Sequence, residues 1–390
     1  MQTPSLRTRA VHAGRDDLTD LGVHAVPLDL STTYPARDSA AEAARLDVLG
    51  TGEQDGGLPV YGRLGNPTVA RFETALAELE GAEAAVAFAS GMAAISACLL
   101  AAGAAGTPHI VAIRPMYGTS DHLLGSGLLG NTITWTTPEE VKAALRPDTG
   151  LVIVESPANP TLTEVDLRAL ADACGEVPLL VDNTFATPVA QRPIDCGAAI
   201  VLHSATKFLG GHGDVMAGVV ACDEVFARLL RQVRFVTGAV LHPLAGYLLL
   251  RGLATLPVRM HAAAETAAEL ALRLSTHPGV ARVHYPGLTA GRPIDQMTGG
   301  GALVSIEVTG DPHAVVAAVR LVTPAVSLGS VDSLIQHPAS ISHHIVGAEV
   351  RAEAGVSERL LRLSIGLEDV EDLWADLAQA LDYSTLPSSA

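Results

Sequence analysis

The chain has 390 residues, 48% of them hydrophobic, enough to bury a full α/β core and a smaller domain besides, which excludes a disordered or fibrous protein. Its 25 Lys and Arg residues are outnumbered by 42 Asp and Glu, a formal net charge of −17 with no basic run, so nucleic acid and anionic membrane are poor partners. Any anion it binds must be held by local cations or backbone N–H groups rather than by the overall field.

Residues 1–60 are rich in Pro, Gly, Thr and Asp with weak periodicity and read as an N-terminal arm, with 51–57 a flexible loop; no apolar run marks a secretory signal. From 61 to 256 short apolar strands alternate with helical patterns. Strands are expected at 84–89, 110–113, 132–135, 151–155, 179–182, 199–203 and 217–221, with helices such as 138–145 and 165–174 between them. That alternation predicts an α/β domain with a mostly parallel sheet wrapped by helices. Residues 84–106 are uncharged and long enough to raise the question of a membrane span. They are mostly Ala, Gly and Ser, however, which supply little transfer energy, and a turn at Ser90-Gly91 divides them into a strand and an Ala-rich helix. Beyond Pro257 come a long helix over 258–274, a strand over 302–308, a helix near 313–321, a strand over 360–365 and a last helix after Glu368. Residues 257–390 therefore read as a smaller C-terminal α+β domain. Cys98, Cys174, Cys196 and Cys222 have neither metal-ligand nor disulfide-scaffold spacing and read as reduced thiols of a cytoplasmic protein.

In doubly wound sheets the ligand sits beyond the carboxyl ends of the strands, so polar residues there matter most. Asp182 closes one expected strand, and the next runs into His203-Ser204-Ala205-Thr206-Lys207. An Asp beside a pyridine nitrogen keeps it protonated and makes the ring an electron sink, while a lysine amine forms an imine with an aldehyde. Singly, Lys207 reads better as a surface lysine and Asp182 as a helix cap; as a pair at adjacent strand ends they point to chemistry. Ser90-Gly91-Met92 places a small-residue turn at a helix N-terminus, where free N–H groups favour a phosphate, and Ser204 and Thr206 add hydroxyls. Tyr117 could stack on a flat cofactor, and Arg362 could clamp a substrate carboxylate. Asp332, His337, His343 and His344 suggest a metal site, but no HExxH-type spacing accompanies them, so none is expected.

Seven motifs in order, Tyr61-Gly-Arg63-Leu-Gly-Asn66-Pro67-Thr68, Ser90-Gly91-Met92, Glu155-Ser-Pro-Ala-Asn159-Pro160, Asp182-Asn183-Thr184, Ser204-Ala-Thr206-Lys207, Ser327-Leu328-Gly329 and Arg362-Leu-Ser-Ile-Gly-Leu-Glu368, resemble the signature of the Cys/Met-metabolism pyridoxal-phosphate family over nearly the whole chain. That family contains cystathionine γ-synthases, cystathionine lyases and methionine γ-lyases. The resemblance implies a fold-type I, aspartate aminotransferase-like architecture and pyridoxal 5'-phosphate as cofactor. Lys207 would be the Schiff-base lysine and proton carrier, Asp182 the partner of the ring nitrogen and Tyr117 the stacking ring. Gly91, Met92, Ser204 and Thr206 would hold the phosphate, with Tyr61 and Arg63 reaching it from a neighbouring subunit of a homotetramer built as a dimer of dimers. Asn159, Ser327 and Arg362 would handle the substrate carboxylate and the cofactor's phenolic side.

Family members that handle cystathionine usually carry Glu immediately before Ser-Leu-Gly; Val326 stands there, as in methionine γ-lyases. Thr119, where those lyases have Cys, and Arg234-Phe235, where they have Lys-Asp, depart from that subgroup. The expected reaction is γ-elimination on a γ-substituted, homoserine-derived amino acid, giving 2-oxobutanoate and ammonia. Cystathionine γ-lysis and γ-replacement on an activated homoserine ester are the alternatives.

Overall fold

The computed structural model describes residues 4–54, 56–57, 59–288 and 295–384. A seven-stranded sheet is built from β1 (Ala84–Phe88), β2 (His109–Ile113), β3 (Thr132–Thr136), β4 (Thr149–Glu155), β5 (Leu179–Asp182), β6 (Ile200–His203) and β7 (Gly218–Cys222), in the order β1-β7-β6-β5-β4-β2-β3. Neighbours from β3 across to β6 pair in parallel, whereas β7 runs antiparallel to both β6 and β1. The sheet is mostly parallel, as the alternating pattern predicts.

Why these segments are strands is visible in their burial. Along β4, Leu151 and Ile153 join one apolar cluster while Val152 and Val154 join another, so both faces are covered and the run 151–154 is apolar throughout. The Ala-rich stretch resolves into β1, a turn and the 14-residue helix Gly91–Ala104. Among the described residues no helix is long and apolar enough to cross a membrane.

A second sheet contains β8 (Val280–His284), β9 (Leu303–Val308), β10 (Thr323–Pro324), β11 (Leu334–Gln336) and β12 (Leu360–Ser364), ordered β10-β11-β12-β9-β8 and antiparallel except for β10–β11. One 32-residue helix, Pro243–Leu274, serves both sheets. Leu249, Leu253, Leu256 and Met260 pack in the first core, and Ala267, Leu270 and Leu274 in the second. The sequence places a helix start at residue 258, because an interior proline lacks the N–H and crowds the preceding turn. The structure carries the helix straight through Pro257, whose neighbours Leu253, Leu256 and Met260 are almost wholly buried. Apolar burial of roughly 1.5–3 kcal/mol per large side chain outweighs a proline penalty of about 3 kcal/mol.

The N-terminal segment is more ordered than its composition suggests. Asp38 caps the helix Ser39–Gly50 by accepting from the amides of Ala40 and Ala41. The stretch after it docks on the helix Glu224–Thr237, with Gln232 Nε2 donating to Thr51 O at 2.6 Å and Arg231 Nη1 to Gly52 O at 3.2 Å. Gly52, at φ +82°, could not carry a Cβ, which would lie 2.1 Å from Arg228 O. Asp55 of the expected flexible loop falls outside the described residues.

Candidate active site

The carboxyl ends of β4, β5 and β6 deliver Glu155, Asp182 and, just after His203, Ser204 to one cavity of about 210 Å³, closed from the other side by the loop before β11 and by β12. Gly91, Met92, Tyr117, Asn159, Asp182, Ser204, Thr206, Lys207, Val326, Ser327 and Arg362 all line it. Tyr61 and Arg63 do not: Arg63 borders a separate hollow with Asn66 and Arg234, and Tyr61 is 44% exposed.

One wall is a small-residue cradle. Ser90 caps the helix Gly91–Ala104 by accepting from Ala93 N at 3.1 Å, leaving the Gly91 and Met92 amides without an intrahelical acceptor. A Cβ on Gly91 would sit 3.0 Å from Ser204 Cβ, and one on Gly218 would sit 2.2 Å from Ser90 O. Both glycines are therefore needed for β7 and the Ser204 loop to close on this turn. The Ser204 hydroxyl has no partner among the described residues, whereas the Thr206 hydroxyl is engaged with Ala217, donating to its carbonyl at 3.1 Å and accepting from its amide at 3.0 Å.

The floor carries two carboxyl groups on adjacent strands, with Glu155 opposite Asp182 in register. Asp182 Oδ1 accepts from Thr184 N at 3.0 Å and Thr184 Oγ1 at 2.5 Å, while Oδ2 takes no hydrogen bond from the described residues and the side chain lines the cavity. Burial raises the Asp182 pKa, and the Thr184 bonds pull it back. Glu155 is pushed well above the usual carboxylate range, by burial first and by Asp182 second. Two such neighbours cannot both ionise cheaply, and of the two Glu155 is pushed further above the ordinary carboxylate range. The Glu155 carboxyl accepts from the amides of Tyr117, 2.7 Å, and Asn159, 3.1 Å, fastening the loops that carry both residues.

Opposite the floor lies a basic corner. Lys207 Nζ donates to Ser327 Oγ at 2.7 Å and pairs with no carboxylate among the described residues. Burial first, and the nearby Arg362 second, bring its pKa down to about 8. Arg362, only 3% exposed, donates to Asn159 Oδ1 at 2.8 Å and Ser327 O at 2.9 Å, and the Gln336 amide, turned so that its oxygen faces the guanidinium, accepts from Nη2 at 2.6 Å. Ser327 thus serves Lys207 with its hydroxyl and Arg362 with its carbonyl, and it holds a φ of +102° to do so. Gly329 lets this loop lie on the lysine backbone, since a Cβ there would be 2.9 Å from Lys207 C.

Three contributors carry no role in the sequence reading: Glu155, Thr184 and Gln336. Glu155 was legible by the rule that exposed Asp182, a carboxylate closing a buried strand. Thr184 and Gln336 act only through contacts across the fold. Among the described residues no three His, Cys, Asp or Glu side chains cluster as a metal site. His337 is tied to Ser340 Oγ and Glu358 O, and His343 to Met116 O.

Residues 7–382 match the family of Cys/Met metabolism PLP-dependent enzymes. The chain is 70% identical over 387 residues to an L-methionine γ-lyase of Streptomyces avermitilis, spanning 99% of this chain and 91% of that protein. It is 56% identical to an L-methionine γ-lyase of Brevibacterium sandarakinum, spanning 97% of each. Cystathionine γ-synthase from Xanthomonas oryzae pv. oryzae superposes with a TM-score of 0.88 at 36% identity over 98% of this chain and 99% of the other. The cystathionine γ-lyase CalE6 from Micromonospora echinospora does so with 0.86 at 37% over 97% and 100%.

Proposed function

The chain belongs to the Cys/Met metabolism PLP-dependent enzyme family, and on that premise we propose that it is an L-methionine γ-lyase, converting methionine and water to 2-oxobutanoate, ammonia and methanethiol. The observation that carries the reading is the joint placement of an uncharged-capable Lys207, the Asp182 carboxyl and a buried Arg362 in one cavity at the strand ends.

The residues fit pyridoxal 5'-phosphate. The Gly91–Met92 amides and the Ser204 hydroxyl, with Thr206 on the same wall, suit its phosphate; Asp182 Oδ2 suits a ring N–H; Tyr117 suits the ring face; Lys207 suits the aldehyde. When bound, the cofactor supplies an aldehyde for imine formation with amines and a ring that draws electron density from the substrate Cα. Arg362, steered by Asn159 and Ser327, holds the substrate carboxylate and so fixes which Cα bond faces Lys207. Lys207 Nζ takes the Cα proton, its lowered pKa letting it act as a base near neutral pH. The Tyr117 hydroxyl gives a proton to the departing γ-sulfur, and Ser327 Oγ keeps the lysine amine aligned between transfers.

Capture of the cofactor by cofactor-free protein should depend on pH through the same lysine. Only the neutral amine attacks an aldehyde. Because burial lowers the Lys207 pKa to about 8, the rate constant should climb as pH rises from 6 and level off above about 8. Stopped-flow absorbance across that range measures it. A profile still climbing steeply at pH 10 would show an unperturbed lysine.

Substrate choice rests on Val326, 60% exposed at the cavity mouth. It offers apolar contact to a short thioether and no partner for the distal ammonium of cystathionine. A charge-assisted bond contributes roughly 1.5–3 kcal/mol against about 1 kcal/mol for a few apolar contacts, so V326E should move the kcat/KM ratio toward cystathionine by on the order of tenfold. The deciding experiment compares methionine, cystathionine, homocysteine and O-acetylhomoserine, with and without added thiol. A wild-type enzyme fastest on cystathionine favours the γ-lyase of that substrate, and one that condenses O-acetylhomoserine with thiol favours γ-replacement.

The working form is a homotetramer, a dimer of dimers, in which Tyr61 and Arg63 complete a neighbour's phosphate site. Their separation from the cavity of their own chain supports this. Four buried free cysteines support a reducing, cytoplasmic setting.

A further inference from the structure

We propose that Phe235 is the positioning residue for Arg63, holding the guanidinium by its ring face so that the full charge and most of its N–H donors remain available for the cofactor phosphate; this rests on the reading that Arg63 is a phosphate ligand. The Arg63 Cζ lies 4.6 Å from the Phe235 ring centroid and 5.6 Å from that of Tyr61, so the guanidinium is flanked by two aromatic rings. Its Nη1 donates to the Phe235 carbonyl at 2.7 Å, which fixes the rotamer through one donor. Among the described residues no carboxylate pairs with Arg63.

The consequence follows from what each kind of partner consumes. A carboxylate would take the guanidinium edge and cancel its charge, which a phosphate would then have to displace. A ring attracts the cation through its face and leaves the edge donors unspent. In a chain of net charge −17, a cation kept uncompensated is worth more to an incoming dianion than one already paired. Holding Arg63 in place beforehand also removes the ordering cost from the binding step.

Phe235 is itself held still. It follows Arg234, which is buried near the end of the helix Glu224–Thr237 and donates to Glu73 Oε1 at 2.5 Å and Ala87 O at 2.9 Å. That anchors the last helical turn to the helix Pro67–Glu80 and to β1. Among the described residues, the half-buried Phe235 ring joins none of the buried apolar clusters, so core packing does not account for an aromatic side chain here.

The test measures cofactor dissociation from the holoenzyme by equilibrium dialysis, alongside the melting temperature of the cofactor-free protein. Phe235→Leu keeps the backbone carbonyl and removes only the ring; it should raise the dissociation constant for pyridoxal phosphate by about three- to tenfold. Phe235→Tyr, which keeps the ring, should stay close to wild type. Arg63→Leu should weaken retention further, and Phe235→Leu should add nothing in that background. Unchanged retention in Phe235→Leu, or an equal loss with and without Arg63, overturns the proposal, the second outcome marking a general structural defect. If Arg63→Leu alone leaves retention unchanged, the phosphate-ligand reading of Arg63 fails and the role of Phe235 falls with it.

Discussion

Lys207→Ala should abolish methionine turnover, by at least the roughly 10²–10⁴-fold that a positioned acid–base group contributes, and should remove covalent attachment of the cofactor altogether. The chain has two lysines, Lys142 and Lys207, and Lys142 is exposed on the short helix Val141–Ala144. Borohydride reduction of the holoenzyme followed by peptide mapping should therefore mark one peptide, and a mark on Lys142 would sink the assignment. The loss leaves no second amine lining the cavity among the described residues, the remaining cation there being the guanidinium of Arg362. Mixed oligomers extend the test. Lys207→Ala protomers combined with Arg63→Leu protomers should regain part of the activity if Arg63 acts across the subunit boundary, because some hybrid sites then receive both intact residues. Verified hybrids with no recovery would place Arg63 in its own chain's site.

Asp182→Asn should produce the second large loss with the fold left intact. An asparagine oxygen can still accept from Thr184 N and Thr184 Oγ1, so the local turn survives and the melting temperature of the cofactor-free protein should barely move. What disappears is the buried negative charge, which on the proposed reading would keep a proton on the ring nitrogen of bound cofactor. Removing one partner of a buried charge pair costs about 3–5 kcal/mol, equivalent to a fall in kcat/KM of roughly 10²–10⁴-fold. KM should change much less than kcat, because the carboxylate site proposed at Arg362 does not include Asp182. A variant within threefold of wild type would move the anionic role to Glu155, the only other carboxyl group lining the cavity among the described residues.

The sequence by itself determined the sheet, the order of its strands' chemistry and the family. Short, β-branched apolar runs such as 151–154 read as strands covered on both faces, and polar residues such as Asp182 and Ser204 stand at the strand ends, where the ligand crevice of such sheets lies. These are local signals, written in consecutive residues. Other features depend on parts of the chain that meet only after folding. The helix through Pro257 is one, since a local penalty yields to apolar burial in two separate cores. The raised pKa of Glu155 is another: it is set by burial and by Asp182, 27 residues away in sequence but adjacent across two strands. The same holds for Ser327, whose φ of +102° is explained only by the simultaneous demands of Lys207 and Arg362. Motif and period announce which groups are present; desolvation, charge coupling and backbone strain arise between groups distant in the chain, and only the tertiary structure decides them.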